Sequence, residues 1–482
     1  MLQTTTTTTT MMRAVAVVLA ALIAVVGVVA EAAHLPPAWA MNGEFGQSMQ
    51  HLLTDVKGSP LYFDFFLDHF DHSSPTFRGR YYIDDSQFKN GSVCFFYMGG
   101  EGPNTGIRND YVSYLAKQYK ALIVSIEHRF YGDSVPFDDF SVTNLEYLTS
   151  RQALADAAQL IKHVNSSDTY KCSAWFAFGG SYSGALSAWF RVKYPDVIVG
   201  SLSSSGVVNA ILDFTAFDVQ VRNAIGFSCT KDLQRVTAAF ETALNKSDKS
   251  NAHAKALFSV RADIPDGDFA YMLADSAAMA DQYGSKEKLC SAISGLRNEK
   301  DDEIVMQTFA NFTIKFWGAD FGPSCFYDSE CVRSNPAAWQ PTARSWWWQK
   351  CHELAYWQNA PVVNSLRMSL LSMNYHKQRC EFMFAKGVFP DTQGTNKYYG
   401  GKHPNGTNIF FSDFSDDPWQ QASVRTTLSP ALPYELVTCN GCGHCMDLHA
   451  PDDENDPNAL KQGRVAFEKH LSTWLKPYTT TN

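Results

Sequence analysis

Between residues 93 and 202, short runs of apolar, β-branched and aromatic residues recur, and each breaks off at glycine, serine or a charged residue. Residues 93–98 (VCFFYM) stop at Gly99-Gly100, and 121–126 (ALIVSI) stop at Glu127-His128-Arg129. Residues 174–178 (AWFAF) stop at Gly179-Gly180, and 197–202 (VIVGSL) stop in a serine cluster. Runs this short and this continuously apolar suit strands covered on both faces, as in a parallel sheet. Helix-like stretches at 111–119, 150–164 and 185–193 separate them. Strands alternating with helices predict an α/β fold with right-handed crossovers. After residue 209 the alternation lapses into a helical, more polar pattern, clearest at 234–245 and 267–282, and strand-like runs return at 408–411 (NIFF) and 434–438 (YELVT). A last helix is expected at 458–475. The reading is therefore a core in two segments, 34–209 and 345–482, around a helical cap insertion at 210–344.

The run Phe178-Gly179-Gly180-Ser181-Tyr182-Ser183-Gly184 joins a predicted strand to a predicted helix. That is the setting of a nucleophile elbow, a strained turn that tolerates only small neighbours and is the signature of the α/β-hydrolase fold. Ser183 stands where the strict pattern has glycine, but its side chain is small. Ser183 itself, with Ser181 two before it and Ala185 two after, fits the nucleophile position less well than Ser181. A serine hydroxyl needs a base within hydrogen-bond reach and a carboxylate to orient that base. In this fold they follow the serine in the order acid, then histidine. Asp417 follows the run 409–411 and His444 follows 436–438, so both sit at predicted C-terminal strand ends in the required order. Asp417 alone, in Asp-Asp-Pro-Trp, would read as a turn. The joint placement points to a triad of Ser181, Asp417 and His444. The N–H of Tyr182, with one from Gly100 or Glu101, would line an oxyanion hole.

His444 is flanked by Cys439, Cys442 and Cys445. A zinc knot or a redox pair would use such residues, but no second pair at zinc-ribbon spacing accompanies them. Disulfides pinning the histidine loop are the favoured reading, and no metal or organic cofactor is called for. The N-terminus supports a compartment that permits disulfides. Arg13 precedes an apolar stretch at 14–30, and small residues follow, so 1–33 reads as a cleaved signal peptide rather than an anchor. Sequons at Asn90, Asn165, Asn245, Asn311 and Asn405 suit a glycoprotein. The 11 cysteines point the same way, and their odd number leaves at least one thiol unpaired or shared between chains. A net charge of −9 with no basic block argues against nucleic acid as a partner. No later segment is apolar and long enough for stable membrane insertion. A homodimer is compatible with the sequence.

Several long stretches, in order, resemble one family: the lysosomal Pro-Xaa carboxypeptidase, dipeptidyl peptidase II and thymus-specific serine protease group. They include 76–83 (TFRGRYYI), 97–103 (YMGGEGP), 127–134 (EHRFYGDS), 147–156 (YLTSRQALAD) and 179–195 (GGSYSGALSAWFRVKYP). Residues 346–358, 416–419 and 441–448 follow. The resemblance implies an α/β-hydrolase core under a helical cap. It carries Ser181 over as nucleophile, Asp417 as orienting acid and His444 as base. It also implies a serine exopeptidase acting on peptides next to proline, lysosomal or extracellular, releasing either a C-terminal residue or an N-terminal dipeptide. Glu101 and Glu127 are candidates for binding a substrate amine, or else cap turns. Among the tryptophans of 346–348, with Trp357 and Trp419, Trp347, Trp357 and Trp419 are candidates for a proline-accepting pocket, against an ordinary aromatic core. A lipase or esterase, and a binding protein on the same scaffold, are the rival functions.

Overall fold

The computed structural model describes residues 43–45, 47, 56–71, 73–334 and 341–479. The expected signal peptide lies outside the described residues. The strands are β1 (Val56–Lys57), β2 (Leu61–Phe66), β3 (Thr76–Asp84), β4 (Cys94–Tyr97), β5 (Ile107–Arg108), β6 (Leu122–Ile126), β7 (Trp175–Gly180), β8 (Gly200–Ser204), β9 (Ile409–Phe414) and β10 (Tyr434–Val437). Eight of them form one sheet in the order β10-β9-β8-β7-β4-β6-β3-β2. From β10 to β6 every pairing is parallel. The edge strands β3 and β2 pair antiparallel.

Side-chain alternation along the parallel strands builds two cores. Phe95, Ile123, Phe176 and Phe178 point to one face and pack with Tyr111 and Phe467. Those two come from helices Tyr111–Tyr119 and Asn458–Leu475. Phe96, Val124, Trp175 and Ala177 point to the other face, against Leu154 and Leu160 of Ser150–Ser166 and Leu186 and Phe190 of Ser181–Lys193. Each phenylalanine buried this completely contributes about 1.5–3 kcal/mol. A mostly parallel sheet between two helical layers, with the antiparallel strands at one edge, is the α/β-hydrolase fold. Two local expectations shift. The strand placed at 197–202 runs instead over Gly200–Ser204, because two of its serines find buried partners: Ser203 Oγ donates to Gly184 O (2.8 Å) and Ser204 Oγ donates to the Asp447 carboxylate. The helix expected from 185 starts four residues earlier, at Ser181.

Between β8 and β9 the chain is helical, with Thr215–Lys246, Asp266–Gln282 and Asp302–Trp317 the longest elements. Gly226, at φ +76° and ψ 172°, breaks the first of these into two helices. Helix Pro341–Gln349 runs across residue 344, where the sequence reading divides cap from core, and helices continue to Tyr399 before the sheet resumes. Five disulfides are present among the described residues: Cys94–Cys172, Cys229–Cys290, Cys325–Cys331, Cys351–Cys380 and Cys439–Cys442. Bonds of this kind mark a chain that folds in an oxidising compartment. Among the described residues no helix is long and apolar enough to cross a membrane.

Candidate active site

Ser181, Asp417 and His444 follow the C-terminal ends of β7, β9 and β10, on one edge of the sheet. Ligand sites of open α/β sheets form at this edge. Ser181 adopts φ +58°, the left-handed region that a non-glycine residue enters only where its surroundings hold it. Its neighbours explain the glycines. A Cβ on Gly179 would lie 2.1 Å from Ser183 O, and one on Gly184 would lie 2.7 Å from Ser204 O. Gly180 abuts the histidine loop, where a Cβ would meet Cys445 Sγ and Leu448 Cδ1 at 2.8 Å each. The residues beside Ser181 and His444 are thus in van der Waals contact. Ser183 is wholly buried and its Oγ donates to Met98 O (2.7 Å), which fastens the loop after β4 to the elbow. That bond gives the buried serine hydroxyl a partner at this position.

His444 and Asp417 form a buried pair, with Nδ1 and Oδ2 2.7 Å apart and the residues 3% and 0% exposed. The second Asp417 oxygen accepts from Trp419 N (2.9 Å) as Asp417 caps the short turn Pro418–Ala422. Burial disfavours the imidazolium, yet the adjacent Asp417 carboxylate outweighs it and holds His444 well above the usual histidine range. The cap end of Asp266–Gln282 supports the loop from outside. His444 N donates to Gln282 O (2.7 Å), and the Tyr283 ring stands edge-on to the imidazole at 6.2 Å. Gly443 is needed there because a Cβ would meet Gln282 O at 2.6 Å. The Cys439–Cys442 disulfide closes the loop and removes both thiolates from metal binding, while Cys445 is a free, buried thiol. Asp416 ties the same loop to the helical insertion by accepting from Gly441 N (2.8 Å) and pairing with Lys286 (2.9 Å).

The stretch Glu127-His128-Arg129 is structural throughout. Glu127 was a candidate for binding a substrate amine, but it is buried and fully engaged. It pairs with Arg80 and accepts from Asn104 N (2.7 Å), Asp133 N (3.0 Å) and Ser134 Oγ (2.6 Å). No lone pair is left for a ligand. His128 donates from Nδ1 to Arg129 O (2.8 Å), so its Nε2 accepts from the Tyr182 hydroxyl (3.2 Å), which in turn accepts from Gln349 Nε2 (2.6 Å). Burial lowers His128 to about 4, which keeps it neutral and fit for that chain. The network anchors Tyr182, the residue after Ser181. Arg129 makes a two-pronged, buried pair with Asp156 at 2.7 Å per bond.

Two tryptophan candidates are corrected. Trp347 is wholly buried, donates to Phe326 O (2.8 Å) and lies under Arg379, 3.9 Å from the ring centre. Trp357 is wholly buried and stacks on His376 at 5.5 Å. Neither can touch a substrate. Trp419 is half-buried, with its Nε1 donating to Gln282 Oε1 (2.8 Å) and Tyr356 edge-on to it at 5.6 Å. Trp346, half-buried against the Tyr182 ring at 5.5 Å, stands nearer the elbow than its two successors. Glu101 follows Gly99-Gly100 beside the site, with Oε2 buried and accepting no hydrogen bond. Burial raises its carboxyl to about 7, offset in part by a hydrogen bond from its own backbone and by the charge of His444. Burial first, and then the Glu101 carboxylate, raise the hydroxyls of Tyr131, Tyr283 and Tyr356. The five sequon asparagines are all exposed.

The model of the serine carboxypeptidase S28 family matches residues 66–467, spanning both strand segments and the helices between them. The chain belongs to this family. The S28 chain is similar to the probable serine protease EDA2 of Arabidopsis thaliana, with 36% identity over 84% of this chain and 87% of that one. It is 28% identical to the thymus-specific serine protease of Mus musculus, over 85% and 86% of the two chains. It is also 28% identical to the lysosomal Pro-X carboxypeptidase of Homo sapiens, over 87% and 89%. S28 membership makes the protein a serine-type peptidase.

Proposed function

We propose that the protein is an exopeptidase of the secretory pathway that cleaves peptides next to proline through an acyl-enzyme on Ser181. The observation that carries this reading is the buried 2.7 Å pair of His444 Nδ1 with Asp417, at the same sheet edge as a serine held at φ +58°. With Nδ1 engaged, Nε2 is the ring nitrogen left to take the Ser181 proton as Oγ attacks the scissile carbonyl. The N–H groups of Tyr182 and of Gly100 or Glu101 receive the oxyanion, each worth about 3 kcal/mol in the transition state. The imidazolium then protonates the leaving amine. Water, deprotonated by His444, releases the acyl group and restores Ser181. Trp346 and Trp419, the half-buried tryptophans, are the candidates for contact with a proline ring. The name of the human relative supports a lysosomal setting, and exposure of the five sequons suits glycosylation.

The test is a panel of proline-containing peptides, free or blocked at either end, incubated with wild type and Ser181→Ala and read by mass. Cleavage beside proline by wild type alone is expected. Equal cleavage by the alanine variant would overturn the assignment, and hydrolysis of acyl esters but not peptides would replace it with an esterase.

A further inference from the structure

We propose that Gln282 is a positioning residue of the triad: it ties the Asp417 turn to the His444 loop, so that the helices between β8 and β9 are part of the catalytic geometry. This rests on the Ser181 reading and adds to it a residue that no motif marks.

Gln282 is the last residue of helix Asp266–Gln282 and is buried. Its two acceptors serve the two loops separately. The main-chain oxygen accepts from His444 N (2.7 Å), and Oε1 accepts from Trp419 Nε1 (2.8 Å). Trp419 N in turn donates to Asp417 Oδ1 (2.9 Å), and Asp417 Oδ2 pairs with His444 Nδ1 (2.7 Å). These four links close a circuit from Gln282 to His444, Asp417, Trp419 and back. Asp417 and His444 follow different strands, β9 and β10, and the circuit joins them a second time through a residue outside the sheet. No member of it can shift without bending a bond on either side, and hydrogen bonds weaken steeply as they bend.

The surroundings hold the circuit in place. A Cβ on Gly443 would lie 2.6 Å from both Gln282 O and Gly284 N, and one on Gly284 (φ +69°) would lie 2.4 Å from Gly441 O, so backbone meets backbone here. Lys286 pairs with Asp416 (2.9 Å), and Asn440 Nδ2 donates to Glu287 Oε1 (2.5 Å), so residues 282–287 grip both loops. Phe214 and Phe217 pack on the Trp419 ring at 5.8 and 5.0 Å. The main-chain link to His444 survives any side chain at 282, whereas the Oε1 link does not, and this makes the second link testable by itself.

The experiment measures kcat and KM against pH on a cleaved proline-containing peptide, for wild type, Gln282→Met, Trp419→Phe and the double variant. Thermal unfolding and fluorophosphonate labelling of Ser181 are followed in each. Methionine keeps the length of glutamine without the amide oxygen, and phenylalanine removes the indole N–H. Gln282→Met should lower kcat by about 3- to 10-fold, the worth of one neutral hydrogen bond, with little change in KM. Trp419→Phe should lower kcat at least as much, and the double variant should be no worse than Trp419→Phe alone. A loosened Asp417 holds the imidazolium less firmly, so the acid limb of kcat should move to lower pH in Gln282→Met, which loss of stability alone does not produce. Unchanged kcat and acid limb in Gln282→Met, or fully multiplicative losses in the double variant, would overturn the proposal. So would a loss confined to KM, which would make Gln282 a binding residue. If Gln282→Met does not fold, Trp419→Phe breaks the same bond from its other end, and an unchanged kcat and acid limb there would overturn the proposal equally. Failure of the probe to label wild type, or hydrolysis by Ser181→Ala, would defeat the Ser181 reading instead.

Discussion

Replacing Gly180 with alanine places a methyl group between the two halves of the active site. The backbone at Gly180 (φ −121°, ψ 152°) suits alanine, so the perturbation is purely steric. The new carbon would stand 2.8 Å from both Cys445 Sγ and Leu448 Cδ1. Relaxed contacts of this kind lie at about 3.5–4.0 Å, so the His444 loop must retreat by roughly 1 Å. Overpacking of this order costs about 1–3 kcal/mol of stability. The larger effect is on chemistry, because a displacement of about 1 Å between reacting groups costs on the order of 100-fold in rate. The assay is kcat/KM on a cleaved peptide, with thermal unfolding alongside. Cys445→Ala removes one of the two clashing atoms. The double variant should therefore recover part of the loss, with a coupling of about 0.5–3 kcal/mol across the cycle. Full activity in Gly180→Ala, or strict additivity with Cys445→Ala, would refute the packing of elbow against histidine loop.

Three further outcomes follow from the same geometry. Asp417→Asn keeps the shape of the pair but loses the charge that holds His444 in its tautomer, and kcat should fall by about 10³–10⁴-fold with little change in KM. Asp110→Asn should flatten the dependence of stability on pH. Burial raises Asp110 to about 7, so its contribution to stability is complete below the unfolded pKa and is lost as pH rises through 7. Asparagine keeps the helix cap that Asp110 gives Ser113 N, so unfolding curves from pH 4 to 8 should show the variant gaining on wild type as pH rises, with a slope of at most about 1.4 kcal/mol per pH unit. Arg129→Ala should cost at most about 3–5 kcal/mol, because the buried Asp156 carboxylate loses its guanidinium and keeps only His69 Nε2 (2.7 Å), read from denaturant unfolding.

The parallel strands were legible because burial on both faces writes a continuous apolar run. The elbow was legible because a sharp turn admits only small residues, and Asp417 and His444 because each follows such a run. β2 and β3 were harder to see. In β2 only Phe65 is buried, so its aromatic composition marks an edge rather than a core. Charge and aromaticity misled at single positions. Glu127, Trp347 and Trp357 have the composition of binding residues, but whether a side chain faces the site depends on partners such as Arg80, Arg379 and His376, which lie far away in sequence. Tyr131, Tyr283 and Tyr356, whose hydroxyls burial and then Glu101 raise, come from three separate segments, so their common neighbour is not written in any one of them. Glu101 and Glu127 looked alike as sequence, and only their hydrogen bonds separate them.

Covalent labelling shows directly whether Ser181 is the nucleophile. The folded protein would be treated with a fluorophosphonate, digested and mapped by mass, beside Ser181→Ala and Ser183→Ala. A single adduct on Ser181 is expected, absent from Ser181→Ala and retained in Ser183→Ala. An adduct on another residue, or an unlabelled wild type that is demonstrably folded, would contradict it.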